Sequence, residues 1–291
     1  MLKTLLAKGL KIRTSCIPTN TRAYRFLRSV GFVKYLQTEN YIYMRLNEKK
    51  FRNNSIYKKI MNDFEEYVLK FIGCLGTKYR YASFDFCYSY FYQVHVLNES
   101  KNEDKNEDKE KSCMVLWSYL ASWGMLRGSS KLLQKSPAYL LPLIDYIGEI
   151  YVEAIKIDVD NYEDVDDKGE NNITKLIRFY KEIEQKLFDK DIDFIPSVTL
   201  VTKIMLGVFA NVPAFDQYVK KAFGVNEFNE KSLKKIACVY DKDKIIIDKL
   251  ANKQKVLVFP TLKDVELNYT RAKIVDMYGF QKGISVEINH S

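Results

Sequence analysis

The chain contains few residues that interrupt regular structure: 12 glycines and 6 prolines among 291 residues. Glycine and proline mark turns, and a many-stranded β-sandwich needs many turns. Hydrophobic residues make up 47% of the chain, which is enough for a sizeable core. The scarcity of turn residues therefore favours a mainly helical protein and argues against a sandwich.

Metal-ligand and disulfide patterns are also lacking. The two histidines, His95 and His290, lie far apart, and none of the five cysteines forms a C-x-x-C pair. No zinc-ligand spacing exists, so we predict no metal cofactor. We expect reduced thiols, as in a cytoplasmic protein. The sequence gives no basis for a Ser-His-Asp or Cys-His arrangement, which disfavours a hydrolase.

Long apolar runs are missing as well. No segment approaches the roughly 18 apolar residues that a membrane span requires. The apolar stretch at the start is interrupted by Lys8 and Lys11, and no small-residue cleavage site follows, which excludes a signal peptide. We therefore expect no membrane association.

Positive charge is concentrated at the start of the chain. Residues 1–60 contain 14 Lys and Arg against two Glu, a surplus of +12. Since the net charge of the whole chain is +9, the remainder carries −3. This asymmetry fits two interpretations: a first segment that meets an anionic partner, such as cofactor phosphates, nucleic acid or an acidic protein, and a solvated basic surface without a specific partner.

Periodicity divides the chain into two parts of different class. Residues 1–47 predict a helix tail, a strand, a helix over 21–30 and a second strand over 41–46. Polar residues then predict a linker at 48–55, and helical periodicity predominates over 56–291. The predicted fold is therefore mainly α, with a small N-terminal α/β fragment of strand-helix-strand order.

The larger domain contains helical patterns over most of its length. They predict helices at 56–72, 84–97, 114–125, 139–157, 173–189, 198–209, 213–223, 232–238, 242–251 and 265–278. Short strands are predicted at 256–259 and 284–288. The duplicated KNED motif within 98–112, which lacks apolar residues, predicts a disordered loop. The acidic segment 158–172 does not fit a calcium loop, and we interpret it as a solvated loop.

The segment NTRAYRFLRSVGF at 20–32 combines an Asn, an Ala three residues later and a Gly-Phe that closes the helix. Together with the strand at 41–46, it resembles the C-terminal part of the GNAT superfamily of N-acetyltransferases. The resemblance covers residues 1–47. In that family the Asn contacts the acetyl-CoA arm near its pantetheine and phosphates, which implies an acetyl-CoA cofactor and this role for Asn20.

Three arginines follow on the same or adjoining faces of the predicted helix: Arg22, Arg25 and Arg28. The resemblance implies that they meet cofactor phosphates through charge-assisted hydrogen bonds. The family's pyrophosphate-binding turn has no counterpart here, and Leu27 stands where many members have a proton-donating Tyr. We therefore expect a truncated acetyltransferase fragment. It would transfer acetyl groups to an amine only if missing sequence or another chain completes it.

Two other hypotheses stay open. The first is a helical module that binds nucleic acid or protein without catalysis. The second is an enzyme whose site lies in the helical domain around Arg127, Lys203 and Asp216. Arg127 lies in the turn SWGMLRGSSK at 122–131, which fits an anion-binding turn and also a helix C-terminus at Gly124.

Lys203 and Asp216 belong to a predicted helical hairpin at 199–223. An acid such as Asp216 in the first turn of a helix is also favoured by the helix dipole. Further along the chain, Lys273 and Asp276 are three residues apart and are predicted to pair on one helix face.

Overall fold

The structure is a computed structural model that describes residues 13–30, 32–46, 63–97, 105–127, 130–190, 194–259 and 266–288. The chain divides into two compact units, Met1–Cys74 and Leu75–Ser291. The described residues are mainly helical, with a three-stranded sheet near the N-terminus. This confirms the predicted fold class at that level. The predicted linker at 48–55 lies outside the described residues.

The sheet of the first unit is antiparallel, with strand order β1–β3–β2. Its strands are β1 (Arg13–Cys16), β2 (Phe32–Gln37) and β3 (Ile42–Leu46). The predicted strand-helix-strand order is therefore incomplete, because β2 lies between the helix and the last strand. Only the first residue of β2, Phe32, is buried, so this strand shows no alternation of apolar and polar residues.

Helix α1 (Thr21–Ser29) precedes β2. It packs on the sheet around a core of Cys16, Val30, Phe32, Ile42 and Met44. Helix α2 (Asp63–Ile72) contributes Leu69 to the same cluster. α2 therefore belongs to the first unit, whereas the sequence pattern places it in the helical domain. Periodicity identifies a helix but does not show which core its apolar face joins.

The described part of the second unit contains eight α-helices. They are α3 (Ser83–Tyr92), α4 (Lys105–Ser122), α5 (Leu141–Ala154), α6 (Asn172–Leu187), α7 (Val198–Phe209), α8 (Gln217–Phe223), α9 (Glu230–Lys253) and α10 (Arg271–Ile288). α7 is buried at every position from Leu200 to Phe209, and it packs against α3, α4 and α6. Its bounds match the predicted helix at 198–209.

Helices α8 and α10 approach each other closely. A Cβ atom at Gly283 of α10 would overlap the backbone carbonyl of Tyr218 at the start of α8. Because glycine has no Cβ atom, the backbones of α8 and α10 can come into direct contact at this crossing. α10 also packs against α9, so it joins the two helices that precede it.

Several segments differ from their predicted structure. The predicted strand at 284–288 is the end of α10, and 256–259 forms no strand but follows an isolated bridge between Lys255 and Asn268. Short apolar runs have the same pattern in strands and in buried helices. Residues 105–112 of the predicted disordered loop belong to α4, because Lys and Glu are good helix formers. Residues 98–104 lie outside the described part.

The acidic segment 158–172 is less solvated than predicted. The ring of Tyr162 is buried, and its hydroxyl donates a hydrogen bond to the backbone carbonyl of Asn211 at 2.7 Å. The carboxylate of Asp158 accepts hydrogen bonds from the backbone N–H groups of Arg271 and Ala272 at 2.8 and 2.7 Å. This segment therefore anchors the start of α10.

Candidate functional site

Lys203 and Asp216 form a buried ion pair at the junction of α7 and α8. The Nζ atom of Lys203 lies 3.1 Å from Oδ2 of Asp216. The other carboxylate oxygen accepts hydrogen bonds from the backbone N–H groups of Tyr218 and Val219, both at 3.0 Å. Asp216 is thus the N-cap of α8. The helix terminus and the lysine both place positive charge against the carboxylate.

The indole ring of Trp123 covers the ammonium group of Lys203. Nζ lies 4.7 Å from the ring centroid, within the range of a cation–π contact. The side chains of Lys203 and Asp216 are only 6% and 12% exposed. A dissolved substrate cannot reach either group in this arrangement, so the pair fixes local structure and offers no accessible nucleophile or base.

A second buried ion pair lies on α10, as the sequence predicts. Nζ of Lys273 is 2.8 Å from Oδ2 of Asp276 and 4.2 Å from the centroid of the Phe84 ring. The other oxygen of Asp276 accepts a hydrogen bond from the backbone N–H of Ala214 at 3.0 Å. The two ion pairs therefore both hold the connection between α7 and α8.

That connection, residues 210–216, is buried throughout. Buried backbone polar groups need partners, and here side chains supply several of them. The N–H of Phe215 donates to Oγ1 of Thr202 at 2.8 Å, and Oγ1 of Thr199 donates to the carbonyl of Phe215 at 2.8 Å. The segment is therefore held by specific hydrogen bonds in place of a regular helix or sheet ladder.

Asp85 on α3 is a fully buried carboxyl group. Its Oδ2 atom accepts hydrogen bonds from the hydroxyl of Tyr269 at 2.5 Å and from the N–H of Leu257 at 2.8 Å. Burial raises the pKa of Asp85 to about 6, although these two donors and the nearby charge of Lys273 act in the opposite direction. Burial likewise raises the pKa of Asp158 to about 6, against its backbone N–H donors.

Arg127 lies on an open cleft of about 450 Å³ near the start of α7. The cleft is lined by Gly124, Met125, Arg127, Ser130, Lys131, Phe194, Ile195, Ser197 and Leu200. Gly124 has a φ of +74°, and a Cβ atom there would lie 2.5 Å from Nε of Arg127. The guanidinium group therefore rests on the glycine, which no larger residue could replace without moving it.

The first turn of α7 forms another part of the cleft. Ser197 is the N-cap of α7, and its hydroxyl accepts a hydrogen bond from the N–H of Leu200 at 3.2 Å. The cleft thus combines two basic side chains with the N-terminus of a helix, where backbone N–H groups carry partial positive charge. None of the described residues that line it is an Asp or a Glu.

The structure brings only two of the three candidate residues of the helical domain into contact. Lys203 and Asp216 are in direct contact, whereas Arg127 lines the cleft. The two places are neighbours along the chain: Leu200 lines the cleft one turn before Lys203, and Gly124 follows Trp123. The ion pair therefore lies within the elements that build the cleft.

The candidates in the first unit are all at the surface of α1. Oδ1 of Asn20 accepts a hydrogen bond from the N–H of Ala23 at 2.9 Å, which makes Asn20 the N-cap of α1. Arg22, Arg25 and Arg28 are exposed. The contacts with acetyl-CoA that the resemblance implies for these residues stay predictions.

Sequence reasoning missed Asp85, Trp123 and Tyr269. The sequence does contain a signal for the burial of Asp85. Asp85 is the one acidic residue within an aromatic helical stretch, SFDFCYSYFY. A helix that is apolar on all sides is buried on all sides, so an acid within it is buried too. Trp123 and Tyr269 had no such signal, since their partners Lys203 and Asp85 lie far away in sequence.

Neither a metal-binding cluster nor a membrane-spanning helix is found among the described residues. These contain no group of three or more His, Cys, Asp or Glu side chains arranged to hold a metal ion. A helix with the length and apolar character to cross a membrane is also missing from the described part.

Comparison of the chain with protein-family models, with curated proteins and with solved structures gave no match.

Proposed function

We propose that the second unit binds a small phosphate-bearing ligand in the cleft beside Arg127. The observation that carries the proposal is that Arg127 and Lys131 line the same cleft as the first turn of α7. Arg donates hydrogen bonds in a fork that matches phosphate oxygens, and Lys acts as a point charge. A helix N-terminus binds anions through its N–H groups and its dipole.

The apolar residues that also line the cleft indicate which phosphate-bearing ligands would fit it. Met125, Phe194, Ile195 and Leu200 form an apolar part of the cleft. Small-molecule sites typically combine such apolar surface with a few polar groups that orient the ligand. A nucleotide has both parts, a phosphate for the basic side chains and a flat base for the apolar ones.

In this proposal Lys203 and Asp216 support the cleft and do not touch the ligand. They hold α7 against Trp123 and the start of α8. The proposed function is therefore binding, and it includes no chemical step by this pair.

Calorimetric titration of the full chain with ADP tests the proposal. We expect ADP to bind, inorganic phosphate to compete, and adenosine, which lacks phosphate, to bind at least roughly tenfold more weakly. The double variant Arg127→Met and Lys131→Met should lose ADP binding. The matched control is Lys181→Met with Lys186→Met, which removes two exposed charges on α6. Equal binding of adenosine and ADP, or unchanged binding by the cleft variant, would overturn the proposal.

A second candidate function concerns the first unit, and the exposed arginines of α1 favour it. The helix carries three arginines and no acidic side chain, and its resemblance to the GNAT superfamily implies phosphates of acetyl-CoA as their partners. We propose that this surface binds coenzyme A. Replacement of Arg22, Arg25 and Arg28 by Gln should abolish calorimetric binding of acetyl-CoA while ADP binding persists. If acetyl-CoA does not bind the unmodified chain, this candidate is wrong.

A further inference from the structure

The first half of α9 presents an exposed face that is rich in lysine. Successive residues of a helix are rotated by about 100°, which places four exposed side chains within an arc of about 100°. They are Lys231, Lys234, Lys235 and Lys242, and we name them the lysine face. Asp243 has non-helical dihedral angles, so the lysine face ends where the helix axis changes direction.

The charges of the lysine face are only partly compensated. Lys234 pairs with Glu230 at 2.7 Å, but both side chains are more than half exposed, so this ion pair is weak and a phosphate can replace it. Nζ of Lys235 donates a hydrogen bond to the carbonyl of Gly224 at the end of α8. The last turn of α8 adds Lys220 and Lys221 beside it.

A surface groove of about 690 Å³ runs along the lysine face. Its lining includes Lys231, Lys234 and Lys235, together with the aromatic ring of Phe223. Single-stranded nucleic acids bind to surfaces of this composition, in which a basic groove follows the backbone and an aromatic ring stacks on a base. The Phe223 ring is half-buried, and an acidic protein would use the lysines without needing an aromatic ring beside them.

The length of the lysine face also suits a polymer. From Lys231 to Lys242 the helix rises by about 16 Å, so the lysine face is long enough to contact more than one phosphate of an extended strand. We propose that the groove beside α9 binds the backbone of a single-stranded nucleic acid, separately from the ligand cleft beside Arg127.

Fluorescence anisotropy of the full chain with a labelled oligothymidylate tests this proposal. We expect binding that weakens with salt, because each neutralised phosphate contributes about −0.7 to the slope of log K against log salt. The triple variant Lys231→Glu, Lys234→Glu and Lys242→Glu should bind at least roughly tenfold more weakly and show a shallower slope. Lys235 is left unchanged because it holds the end of α8.

A matched control separates the site from net charge. Lys181, Lys186 and Lys190 are exposed lysines elsewhere in the unit, and their replacement by Glu changes net charge equally. We expect this variant to bind normally. Circular dichroism confirms that both variants are folded. Equal loss in both variants, no loss in either, or equally tight binding of a duplex or of polyglutamate overturns the proposal.

A native cysteine gives an independent readout without mutation. Cys238 is exposed and lines the groove, whereas Cys74 is exposed in the first unit. The oligothymidylate should slow the alkylation of Cys238 several-fold and leave Cys74 unchanged. Protection of neither cysteine, or of both to the same extent, contradicts binding in the groove.

Discussion

Gly207, in the last turn of α7, lies directly against the aromatic ring of Tyr119 on α4. A Cβ atom at this position would overlap the Tyr119 ring, and the ring itself is fully buried. Replacement of Gly207 by Ala forces the two helices or the ring to move, which typically costs about 1–3 kcal/mol in a packed core. Chemical denaturation should show this loss in the free energy of unfolding.

Gly148 provides the matched control for that substitution. It also lies within a helix, α5, but it is exposed, and a Cβ atom there meets its nearest neighbour at an ordinary 3.8 Å. Gly148→Ala should therefore stabilise the protein by roughly 0.5–1 kcal/mol, through helix propensity alone. The same sign for both substitutions would contradict the packing found at Gly207.

The buried pair of Lys203 and Asp216 predicts strong coupling between two substitutions. Lys203→Met leaves the carboxylate of Asp216 without its ammonium partner and should destabilise the protein by about 3–5 kcal/mol. Asp216→Asn removes the charge but keeps an oxygen that can cap α8. The double variant should be more stable than Lys203→Met, as measured by urea denaturation in a double-mutant cycle. Additive effects would contradict the buried pair.

Asp85 predicts a specific dependence of stability on pH. Its pKa in the folded protein is about 6, above the ordinary value of 3.8. The folded state therefore holds a proton that the unfolded state releases, and the free energy of unfolding should fall as pH rises from about 4 to about 6. Asn has no such titration and keeps an oxygen acceptor for Tyr269.

Asp85→Asn should accordingly reduce the pH-dependent fall in the free energy of unfolding by roughly 2–3 kcal/mol. The variant should then be more stable than the unmodified protein at pH 8. Asp158 titrates in a similar range and remains in both proteins, so the difference between their pH profiles isolates Asp85. Parallel profiles would show that Asp85 is not protonated in the folded state.

Asn20 allows a helix cap to be distinguished from a cofactor contact. Asp caps helices about as well as Asn, so Asn20→Asp should leave the stability of the first unit unchanged, whereas Asn20→Ala should lower it by about 1 kcal/mol. A contact with phosphate would be weakened by the new negative charge. Thermal denaturation and acetyl-CoA titration of both variants measure the two effects separately.

The sequence predicts features that depend on local pattern. The bounds of α7 follow from a predominantly apolar run between a serine cap and a buried turn, and the pair of Lys273 and Asp276 follows from helical spacing. Strand β2 was missed because five of its six residues are only partly buried or exposed.

The candidate site was predictable only in part, for a physical reason. Lys203 and Asp216 are close in sequence and were grouped, but the contacts that surround them join distant segments. Trp123 reaches Lys203 from the end of α4, and Asp276 reaches Ala214 from α10. Such contacts leave no periodic trace in one sequence, because each partner alone fits an ordinary helix.

The hydrogen bond between Asp85 and Tyr269 spans 184 residues, which has a consequence during synthesis. The ribosome releases the chain from its N-terminal end, so α3 emerges well before its partner. Until residue 269 leaves the exit tunnel, Asp85 has no Tyr269 hydroxyl beside it. The backbone N–H of Ala214 likewise has no Asp276 acceptor until that residue has been synthesised. The buried polar interior of the second unit is therefore completed late in translation, and a nascent chain that ends before Tyr269 leaves the Asp85 carboxyl group and the Ala214 N–H without these partners.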